Sequence, residues 1–363
     1  MKKKSFLISG GGTGGHIYPA IAIADELKLK YPDAHFMFVG ANDRMEMQKV
    51  PKAGYQIKGL WISGFQRGEI VKNLLIPFKL LSSLVDSYKI IKKQKPTIAI
   101  GTGGYASAAL LKMASWMGIP TIVQEQNSFP GITNKWLANK ATKICVAYEG
   151  LDVFFPKDKI LVTGNPIRKD ILNEQVTSAE AILNFKLKPN VKTLLVLGGS
   201  LGAKAINELV ASRLDFFKNQ EIQVLWQCGQ FYYERFKDLQ SESVKVLAYI
   251  DRMDLAFTCA DVIISRAGAS SVSELAVVGK PVMFIPSPYV AEDHQTKNAE
   301  AIVNKKAAYM VKQSELEDKF DNQIEQLFNN ELIREELSNN LKNLAKPNAT
   351  EDIVEEIIKI IEK

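Results

Sequence analysis

Apolar and polar positions alternate along this chain on two length scales. Runs of four or five apolar, often β-branched residues predict strands at 5–9, 35–39, 97–100, 121–124, 193–197, 223–227, 244–248, 262–265 and 282–285. The longer stretches between them, such as 17–30, 106–116 and 272–278, carry apolar residues every three or four positions and predict helices. This alternation is typical of an α/β fold, in which helices cover both faces of a parallel sheet.

The pattern restarts near the middle of the chain. A short strand-like segment at 160–163 leads into Gly164-Asn165-Pro166, and a polar connector with few helix signals follows as far as Asn190. A second series of strands, glycine loops and helices then opens at 193. We therefore predict two Rossmann-like, doubly wound domains facing a cleft, at 1–163 and 164–345. After Pro347, the apolar spacing at 351–363 predicts a terminal helix.

The composition is that of an ordinary globular protein. The 363 residues are 46% hydrophobic and 24% charged, which excludes a disordered or fibrous chain. The net charge of +6 is small and dispersed, and no aromatic and basic stripe accompanies it, so nucleic acid is not an expected partner. An acidic partner should instead be local, such as a phosphate group or an anionic membrane surface.

The positions of the cysteines, the histidines and the apolar residues exclude several further classes of protein. The three cysteines and three histidines are too scattered for a disulfide framework, a cysteine zinc site or a paired-histidine metal site. We therefore expect no bound metal. The apolar start is too short for a secretion signal, and the longest apolar region, 70–91, is interrupted by charged residues and is not expected to cross a membrane.

Glycine-rich loops follow several predicted strands. The loop after the first strand satisfies GxGxxG with Gly10, Gly12 and Gly15, and it opens a helix, so backbone amides can face a polar or anionic ligand. The next strand ends without a carboxylate, which argues against NAD, and no Gly-Lys-Ser/Thr of a P-loop is present. Similar loops lie at 101–105, 198–202 and 265–271, where open α/β sheets bind ligands. Tight strand–helix packing is the alternative reason for the glycines.

Three residue positions suggest chemistry. His16 begins a helix, whose dipole keeps the imidazole neutral, as a general base requires; the alternative is a histidine bonded within its loop. Glu125 and Asn127 follow a strand and could line the site, or they could belong to a solvated turn.

A carboxylate and two arginines lie near the other loops. Glu274 either binds a ligand or completes a capping box with Ser271. The chain has no Asp-x-Asp pair, so a diphosphate would be held by helix N-termini and by Arg168 or Arg266 rather than by Mg²⁺. Either arginine could instead form a surface ion pair.

Seven motifs occur together and in order, and they carry a family resemblance. They are Gly11-Gly12-Thr13-Gly14-Gly15-His16, Gly103-Gly104-Tyr105, Glu125-Gln126-Asn127, Thr133-Asn134-Lys135-Trp136-Leu137, Gly164-Asn165-Pro166-Ile167-Arg168, Gly198-Gly199-Ser200 and Ser271-Val272-Ser273-Glu274. From residue 5 to about residue 310, the chain resembles the MurG family of bacterial cell-wall N-acetylglucosaminyltransferases.

The resemblance implies a GT-B fold and a division of labour between the two domains. The first domain would hold the lipid-linked acceptor, the second would hold UDP-GlcNAc, and a helix at about 346–363 would pack back on the first. The implied donor-binding residues are Thr13, Gly14, Gly15, Asn127, Arg168, Ser200, Ile250, Ser271, Glu274 and Gln295. Ile250 would lie against the uracil and Glu274 would bind the ribose hydroxyls. His16 and Glu125 are the implied catalytic residues.

The implied reaction is an inverting transfer of GlcNAc, without metal or cofactor, to the C4 hydroxyl of MurNAc-pentapeptide on a polyprenyl diphosphate. Two enzymatic alternatives remain, a UDP-GlcNAc 2-epimerase and a GT-B transferase for another lipid or small-molecule acceptor. A non-enzymatic membrane scaffold is the third. Three positions depart from the family pattern: Leu201 replaces Gln, Ser270 replaces a larger apolar residue, and His294 replaces Gln.

A polyprenyl acceptor implies docking on the anionic inner leaflet of the cell membrane, from the cytoplasmic side, where cell-wall and division proteins could be partners. Apolar residues recur at steps of three and four through 71–91, and Pro77 divides the run into a loop or short helix and a longer helix. The implied acceptor and membrane residues are Tyr105, Leu75, Phe78, Lys72, Lys79, Trp116 and Lys140, with Arg67 extending the basic rim. The alternative is that these residues face the core, and the pattern favours this for 81–91.

Overall fold

The computed structural model describes residues 3–64, 73–167, 171, 176–199 and 201–363. The chain divides into two compact units: Met1–Ile167 with Asn348–Lys363, and Arg168–Pro347. The sequence placed the boundary between 163 and 164. In the described part of the chain, no helix combines the length and the apolar character that crossing a membrane requires.

The first unit is built on a parallel sheet with the strand order β3-β2-β1-β4-β5-β6-β7. Its strands are β1 Ser5–Gly10, β2 His35–Ala41, β3 Gln56–Leu60, β4 Ile98–Gly103, β5 Thr121–Glu125, β6 Lys143–Val146 and β7 Ile160–Val162. Its helices are α1 Gly14–Lys30, α2 Glu46–Lys52, α3 Ile76–Gln94, α4 Tyr105–Trp116, α5 Ile132–Ala138 and the last helix of the chain, Ala349–Ile361, with 3₁₀ turns at Leu151–Val153 and Lys157–Lys159.

Alternating residues of β1 supply the two hydrophobic layers of this unit. Phe6 and Ile8 are fully buried on one face with α1 and the last helix, and Leu7 is fully buried on the other face with α3 and α4. Side chains of a strand point alternately to opposite faces, so a strand covered on both sides is apolar throughout. The last helix packs Ile353 and Ile357 against α1, and Lys4 Nζ donates to the carbonyl of Ile361 at 3.1 Å.

The second unit repeats the plan with the strand order β10-β9-β8-β11-β12-β13, all parallel. Its strands are β8 Lys192–Leu197, β9 Ile222–Gln227, β10 Val244–Leu247, β11 Val262–Ser265, β12 Val282–Phe284 and β13 Tyr309–Met310. Its helices are α6 Ser178–Phe185, α7 Lys204–Ser212, α8 Leu214–Asn219, α9 Tyr233–Phe236, α10 Met253–Cys259, α11 Ala269–Val278, α12 His294–Val303, α13 Leu316–Asn329 and α14 Glu331–Asn343, with 3₁₀ turns at Lys237–Leu239, Ala291–Asp293 and Gln313–Glu315.

These two sheets confirm the predicted doubly wound α/β class and all nine predicted strands. The connector before residue 190 was wrongly read as poor in helix, because Ser178–Phe185 is helical. Thr177 caps that helix by accepting the backbone N–H of Glu180 at 3.2 Å. The edge strand Gln56–Leu60 was not predicted, because its exposed positions are polar and break the apolar run. Pro77 lies in the first turn of α3, as its division of the run indicated.

Candidate active site

In the first unit the strand order reverses between β1 and β4, the point where open α/β sheets bind ligands. The glycine loop after β1 and the Gly103-Gly104 turn after β4 meet there, and Gly11 N donates to the carbonyl of Gly103 at 3.3 Å. Gly104 has a φ of +90°, and a Cβ on it would lie 2.5 Å from the carbonyl oxygen of Gly11. Glycine is therefore required by close backbone contact at this position.

His16 lies in the first turn of α1, half-buried, behind the N-cap residue Thr13. Its Nδ1 is 2.9 Å from the carbonyl oxygen of Gly11 and 3.4 Å from Oγ1 of Thr13. Because a carbonyl oxygen can only accept, the Nδ1–H tautomer fits this contact, and Nε2 is then the acceptor atom of the ring. The loop hydrogen bond and the role of base are therefore compatible, since they use opposite nitrogens.

Glu125 is 1% exposed at the end of β5. Its Oε1 accepts from the backbone and side-chain amides of Asn127, at 3.0 and 3.2 Å, and its Oε2 accepts from Gly131 N at 3.1 Å and Asn134 Nδ2 at 2.8 Å. The solvated-turn alternative is therefore wrong for Glu125. The carboxylate fastens the loop that carries Asn127 to the start of α5, an arrangement that favours positioning of Asn127 over direct chemistry.

A buried network of amide side chains, to which the sequence motifs gave no role, lies beside this loop. Gln126 Nε2 donates to the carbonyl of Thr102 at 2.6 Å, Asn165 Nδ2 donates to the carbonyl of Gln126 at 3.0 Å, and Gln124 Nε2 donates to Oδ1 of Asn165 at 2.8 Å. All three amide side chains are at most 1% exposed. The network fixes the carboxyl ends of β4 and β5 and the segment after β7 relative to one another.

In the second unit the strand order reverses between β8 and β11, and a cavity of about 540 Å³ opens there. Its lining includes Gly198, Lys204, Tyr232, Arg266, Tyr289 and Gln295. Gln295 Oε1 accepts the backbone N–H of Ser287 at 2.9 Å, which fixes the start of α12 against the loop that follows β12.

Arg266 is half-buried and donates to the carbonyl of Ile285 at 2.9 Å and to Oε1 of Gln313 at 3.2 Å. Burial lowers the pKa of its guanidinium. Neutral oxygens hold this arginine, which does not fit the surface ion pair considered from the sequence.

Ile250 is 2% exposed and is tied to the glycine loop after β8 through Gln227. Its backbone N–H donates to Oε1 of Gln227 at 2.9 Å, and Nε2 of Gln227 donates to the carbonyl of Gly199 at 3.2 Å. Gln227 thus fixes two predicted donor-binding segments together, although sequence reasoning did not single it out.

Glu274 and Ser271 lie on α11, and both are half-buried. The helix begins at Ala269 with Gly268 as its N-cap, so Ser271 is its third residue and Glu274 its sixth. A capping box requires Ser271 at the N-cap position, and that alternative is therefore wrong. Ser271 lies in the N-terminal turn of the helix, where the dipole favours an anionic group.

Lys72, Arg168 and Ser200 lie outside the described residues, as does Arg67. Within residues 3–64, 73–167, 171, 176–199 and 201–363, no cluster of three or more His, Cys, Asp or Glu side chains could hold a metal ion. Thr13, Gly14 and Gly15 lie at the N-terminus of α1 beside His16, and Asn127 lies after β5.

The comparisons with known proteins agree along the whole chain. Residues 6–146 match the glycosyltransferase family 28 N-terminal domain, and residues 193–356 match the glycosyltransferase family 28 C-terminal domain. The chain is 59% identical to a UDP-N-acetylglucosamine–N-acetylmuramyl-(pentapeptide) pyrophosphoryl-undecaprenol N-acetylglucosamine transferase of Flavobacterium psychrophilum, over 100% of this chain and 99% of that protein. This chain belongs to the MurG family of glycosyltransferases.

Two further members of the MurG family are similar to the chain. A transferase of the same name from Christiangramia forsetii is 55% identical over 98% of this chain and 97% of that protein. The crystal structure of MurG from Acinetobacter baumannii matches with a TM-score of 0.79 at 28% identity, covering 98% of this chain and 99% of that one. These findings confirm the predicted GT-B class.

One surface of the first unit exposes large apolar side chains that do not pack into its core. Leu75 and Phe78, at the start of α3, are 43% and 66% exposed. Exposure continues along the same helical face through Leu81, Val85 and Tyr88. The expectation that 81–91 simply faces the core is therefore wrong for these three residues, whereas the other face of the helix, with Ser83, Ser87, Ile90 and Ile91, is buried.

Other predicted acceptor and membrane residues lie on elements of the same unit. Trp116 and Tyr105, at the two ends of α4, are 58% and 50% exposed, and Lys140 is exposed after α5. Lys79 donates to Oγ of Ser63 at 2.9 Å, and its ammonium lies 5.6 Å from the ring centroid of Trp61. The α3, α4 and α5 helices pack in succession.

Proposed function

We propose that this chain transfers GlcNAc from UDP-GlcNAc to the C4 hydroxyl of lipid-linked MurNAc-pentapeptide, the step that forms the disaccharide unit of peptidoglycan. The observation that carries the proposal is the 59% identity, over the full length of both chains, to a transferase whose name states this reaction. The geometry of each unit supports a division of the work between acceptor activation and leaving-group stabilisation.

We assign acceptor activation to His16 in the first unit. The lone pair on Nε2 takes the proton of the C4 hydroxyl while that oxygen attacks C1 of GlcNAc. The bond from C1 to the UDP oxygen breaks, UDP leaves with the electron pair, and a β-1,4 bond forms with inversion. General-base catalysis contributes about 10²–10⁴-fold to such a step. Glu125 supports the reaction indirectly, by holding Asn127 in place.

We assign the donor nucleotide to the second unit. The N-terminus of α11, with Ser271, and Arg168 would stabilise the charge that develops on the diphosphate, without metal or cofactor. Glu274 would accept from the ribose hydroxyls and Ile250 would support the uracil, and Gln295 would contact the sugar from the start of α12. Thr13, Gly14, Gly15, Asn127 and Ser200 are the remaining proposed donor contacts.

We propose that the enzyme docks peripherally on the cytoplasmic face of the cell membrane, because its acceptor is anchored there. The exposed apolar face of α3, with Leu75, Phe78, Leu81 and Val85, supports this placement. Lys79, Lys140 and Lys72 would supply the electrostatic attraction, since each basic residue near an anionic leaflet contributes about 1 kcal/mol. Tyr105 and Trp116 are exposed on the same unit and would contact the acceptor or the interface.

The deciding experiment is a UDP-release assay with a lipid-linked muramoyl-pentapeptide analogue. We expect UDP release that depends on this acceptor and a β-1,4-linked product. Conversion of UDP-GlcNAc alone to its C2 epimer would support the epimerase instead, and preference for a sterol or other lipid acceptor would support a different transferase. Absence of turnover with every acceptor would leave the scaffold role and refute the proposal.

A further inference from the structure

Glu46 is a buried carboxylate beneath the first glycine loop, and neither the motifs nor the proposed reaction uses it. It begins α2 and is 1% exposed. Its Oε2 accepts the backbone N–H of Gly12 at 2.9 Å, and its Oε1 accepts the backbone N–H of Ala41, at the end of β2, at 2.9 Å. A charge at this depth is stable only when it is hydrogen-bonded, and two backbone donors meet that need.

The surrounding glycines leave room for this carboxylate. A Cβ on Gly11 would collide with Oε1 of Glu46, and a Cβ on Gly40 would lie 2.6 Å from its Cγ. Side chains at 11 and 40 would therefore exclude Glu46 from its position. Gly11, in the predicted ligand-binding loop, and Gly40, near the end of a strand, therefore leave the space that the carboxylate of Glu46 occupies.

The N–H of Gly12 and the carbonyl of Gly11 belong to the same peptide unit, which is planar and rigid. Glu46 accepts from one end of this peptide, and the carbonyl at the other end lies 2.9 Å from Nδ1 of His16. A charge-assisted bond to the N–H fixes the plane of the peptide and increases the negative charge on its carbonyl oxygen. That oxygen then holds the proton of His16 on Nδ1.

We propose that Glu46 is the positioning residue for His16, acting through the Gly11–Gly12 peptide to select the Nδ1–H tautomer and to direct Nε2 toward the substrate. The arrangement resembles a carboxylate bonded directly to a catalytic histidine, with one peptide unit inserted between them. The expected effect on catalysis rests on the proposed function, in which His16 is the base. The expected effect on the tautomer of His16 holds whether or not His16 is the base.

The test is the imidazole tautomer in Glu46→Gln, read from two-bond ¹H–¹⁵N correlations of ¹⁵N-histidine-labelled protein. A glutamine keeps the shape but presents an NH₂ group to one of the two backbone donors. The wild type should show His16 as the Nδ1–H form, with its signals assigned by their loss in His16→Ala. In Glu46→Gln the tautomer ratio should shift toward Nε2–H by roughly fivefold, the equilibrium factor of one ordinary hydrogen bond.

Ser9→Ala is the matched control. Ser9 is fully buried and its Oγ donates to the carbonyl of Val39 at 2.7 Å, so it links the same two strands, β1 and β2, without touching the Gly11–Gly12 peptide. This variant should keep the wild-type tautomer. An equal shift in Ser9→Ala would show that general loosening is responsible and would overturn the proposal, as would an unchanged tautomer in Glu46→Gln.

Steady-state kinetics and amide exchange provide two further readouts of the role of Glu46. In Glu46→Gln, kcat should fall by about 10–100-fold, the range found for groups that orient metal-bound histidines, and this fall should exceed any rise in the KM for UDP-GlcNAc. Near-normal kcat in His16→Ala would refute the base assignment alone, because the tautomer comparison would still decide the role of Glu46. If Glu46→Gln does not fold, the Gly12 amide of the wild type decides: this exposed residue should exchange slowly, and exchange at the rate of an open loop would overturn the proposal.

Discussion

The imidazole of His16 lies directly against the α-carbon of Gly103. A Cβ on Gly103 would lie 2.7 Å from Cδ2 of the ring and 2.9 Å from Nε2, and the φ of Gly103 is +113°. Nε2 is the atom to which we assign the proton transfer. Glycine at 103 therefore leaves room at the reactive edge of the ring, in addition to providing an unusual backbone conformation.

Gly103→Ala should lower kcat by more than about tenfold, because the new methyl group must displace Nε2 from its position. The KM for UDP-GlcNAc should change little, which steady-state kinetics will show. Gly118→Ala is the matched control, since Gly118 has a φ of +74° and nothing within 4 Å of its would-be Cβ. Both variants should lose about 1–3 kcal/mol of stability from backbone strain, but only Gly103→Ala should lose activity. Equal kcat in the two variants would contradict the steric argument.

His16→Ala should lower kcat by about 10²–10⁴-fold, because it removes the group that takes the proton from the acceptor hydroxyl. The affinity for UDP, measured by calorimetry, should stay near that of the wild type, since the donor contacts proposed in this loop are Thr13, Gly14 and Gly15 and not the imidazole. A variant with near-normal kcat would leave His16 as a residue that only orders its loop.

Glu274→Gln should raise the KM for UDP-GlcNAc and reduce discrimination against 2′-deoxyuridine donors. A hydrogen bond to a charged acceptor contributes roughly 1.5–3 kcal/mol, or about 10–150-fold in binding. Glu335→Gln, an exposed carboxylate on α14 of the same unit, is the control and should bind UDP like the wild type. Unchanged UDP affinity in Glu274→Gln would remove this residue from the site.

The strands and the glycine loops were predictable because each has one strong signal in the sequence. The buried strands are mainly apolar, and the glycine loops follow them at both reversals of strand order, so both the sheets and the loop positions could be read from the sequence. The start of α11 was misjudged because its N-cap is Gly268, which has no side chain to signal a cap, so the helix begins at Ala269, ahead of Ser271.

The groups that position the site were harder to predict. Glu46 is 34 residues from Gly12 in sequence, and its partners are backbone N–H groups, which every residue other than proline offers equally. Gln227 likewise acts on the backbone of Gly199 and Ile250. The exposed face of α3 could not be separated from its buried face by periodicity alone, because both faces carry apolar side chains, Leu81 and Val85 on one and Ile90 and Ile91 on the other.

Asp254→Asn should reduce stability in a pH-dependent way. Asp254 accepts from Arg252 Nε at 2.9 Å and from Nη2 at 2.7 Å, and these bonds hold the pKa of the carboxyl below its usual value. A carboxylate with a lowered pKa in the folded state stabilises the protein above its unfolded pKa of about 3.9, and this contribution is lost as pH falls through the folded pKa.

Urea unfolding of the wild type and Asp254→Asn should therefore differ by on the order of 1 kcal/mol at pH 7, a value reduced because Arg252 is half exposed. The difference should shrink as pH falls below about 4. A difference that is the same at pH 3 and pH 7 would show that the carboxylate charge is not responsible.

Leu75→Ser with Phe78→Ser should weaken binding to vesicles that contain anionic lipid, with the vesicle dissociation constant rising by about tenfold or more. Both side chains are exposed, Leu75 at the N-cap of α3 and Phe78 in its first turn, and burying an apolar side chain of this size contributes about 1.5–3 kcal/mol. Binding of the wild type should also weaken with added salt, because the basic residues act through screened electrostatics. UDP affinity should be unchanged, which shows that the second unit is intact.

Two further double variants separate a defined docking surface from general surface hydrophobicity. Leu81→Ser with Val85→Ser extends the test along the exposed face of α3, and we expect it to weaken vesicle binding as well, because these side chains continue the same apolar stripe. Leu183→Ser with Leu332→Ser removes two leucines that are 79% and 77% exposed on the second unit, and it should bind vesicles like the wild type. If the α3 variants bind as well as this control, the docking surface lies elsewhere on the molecule. If all three lose binding equally, apolar exposure alone, and not the α3 face, carries the attachment.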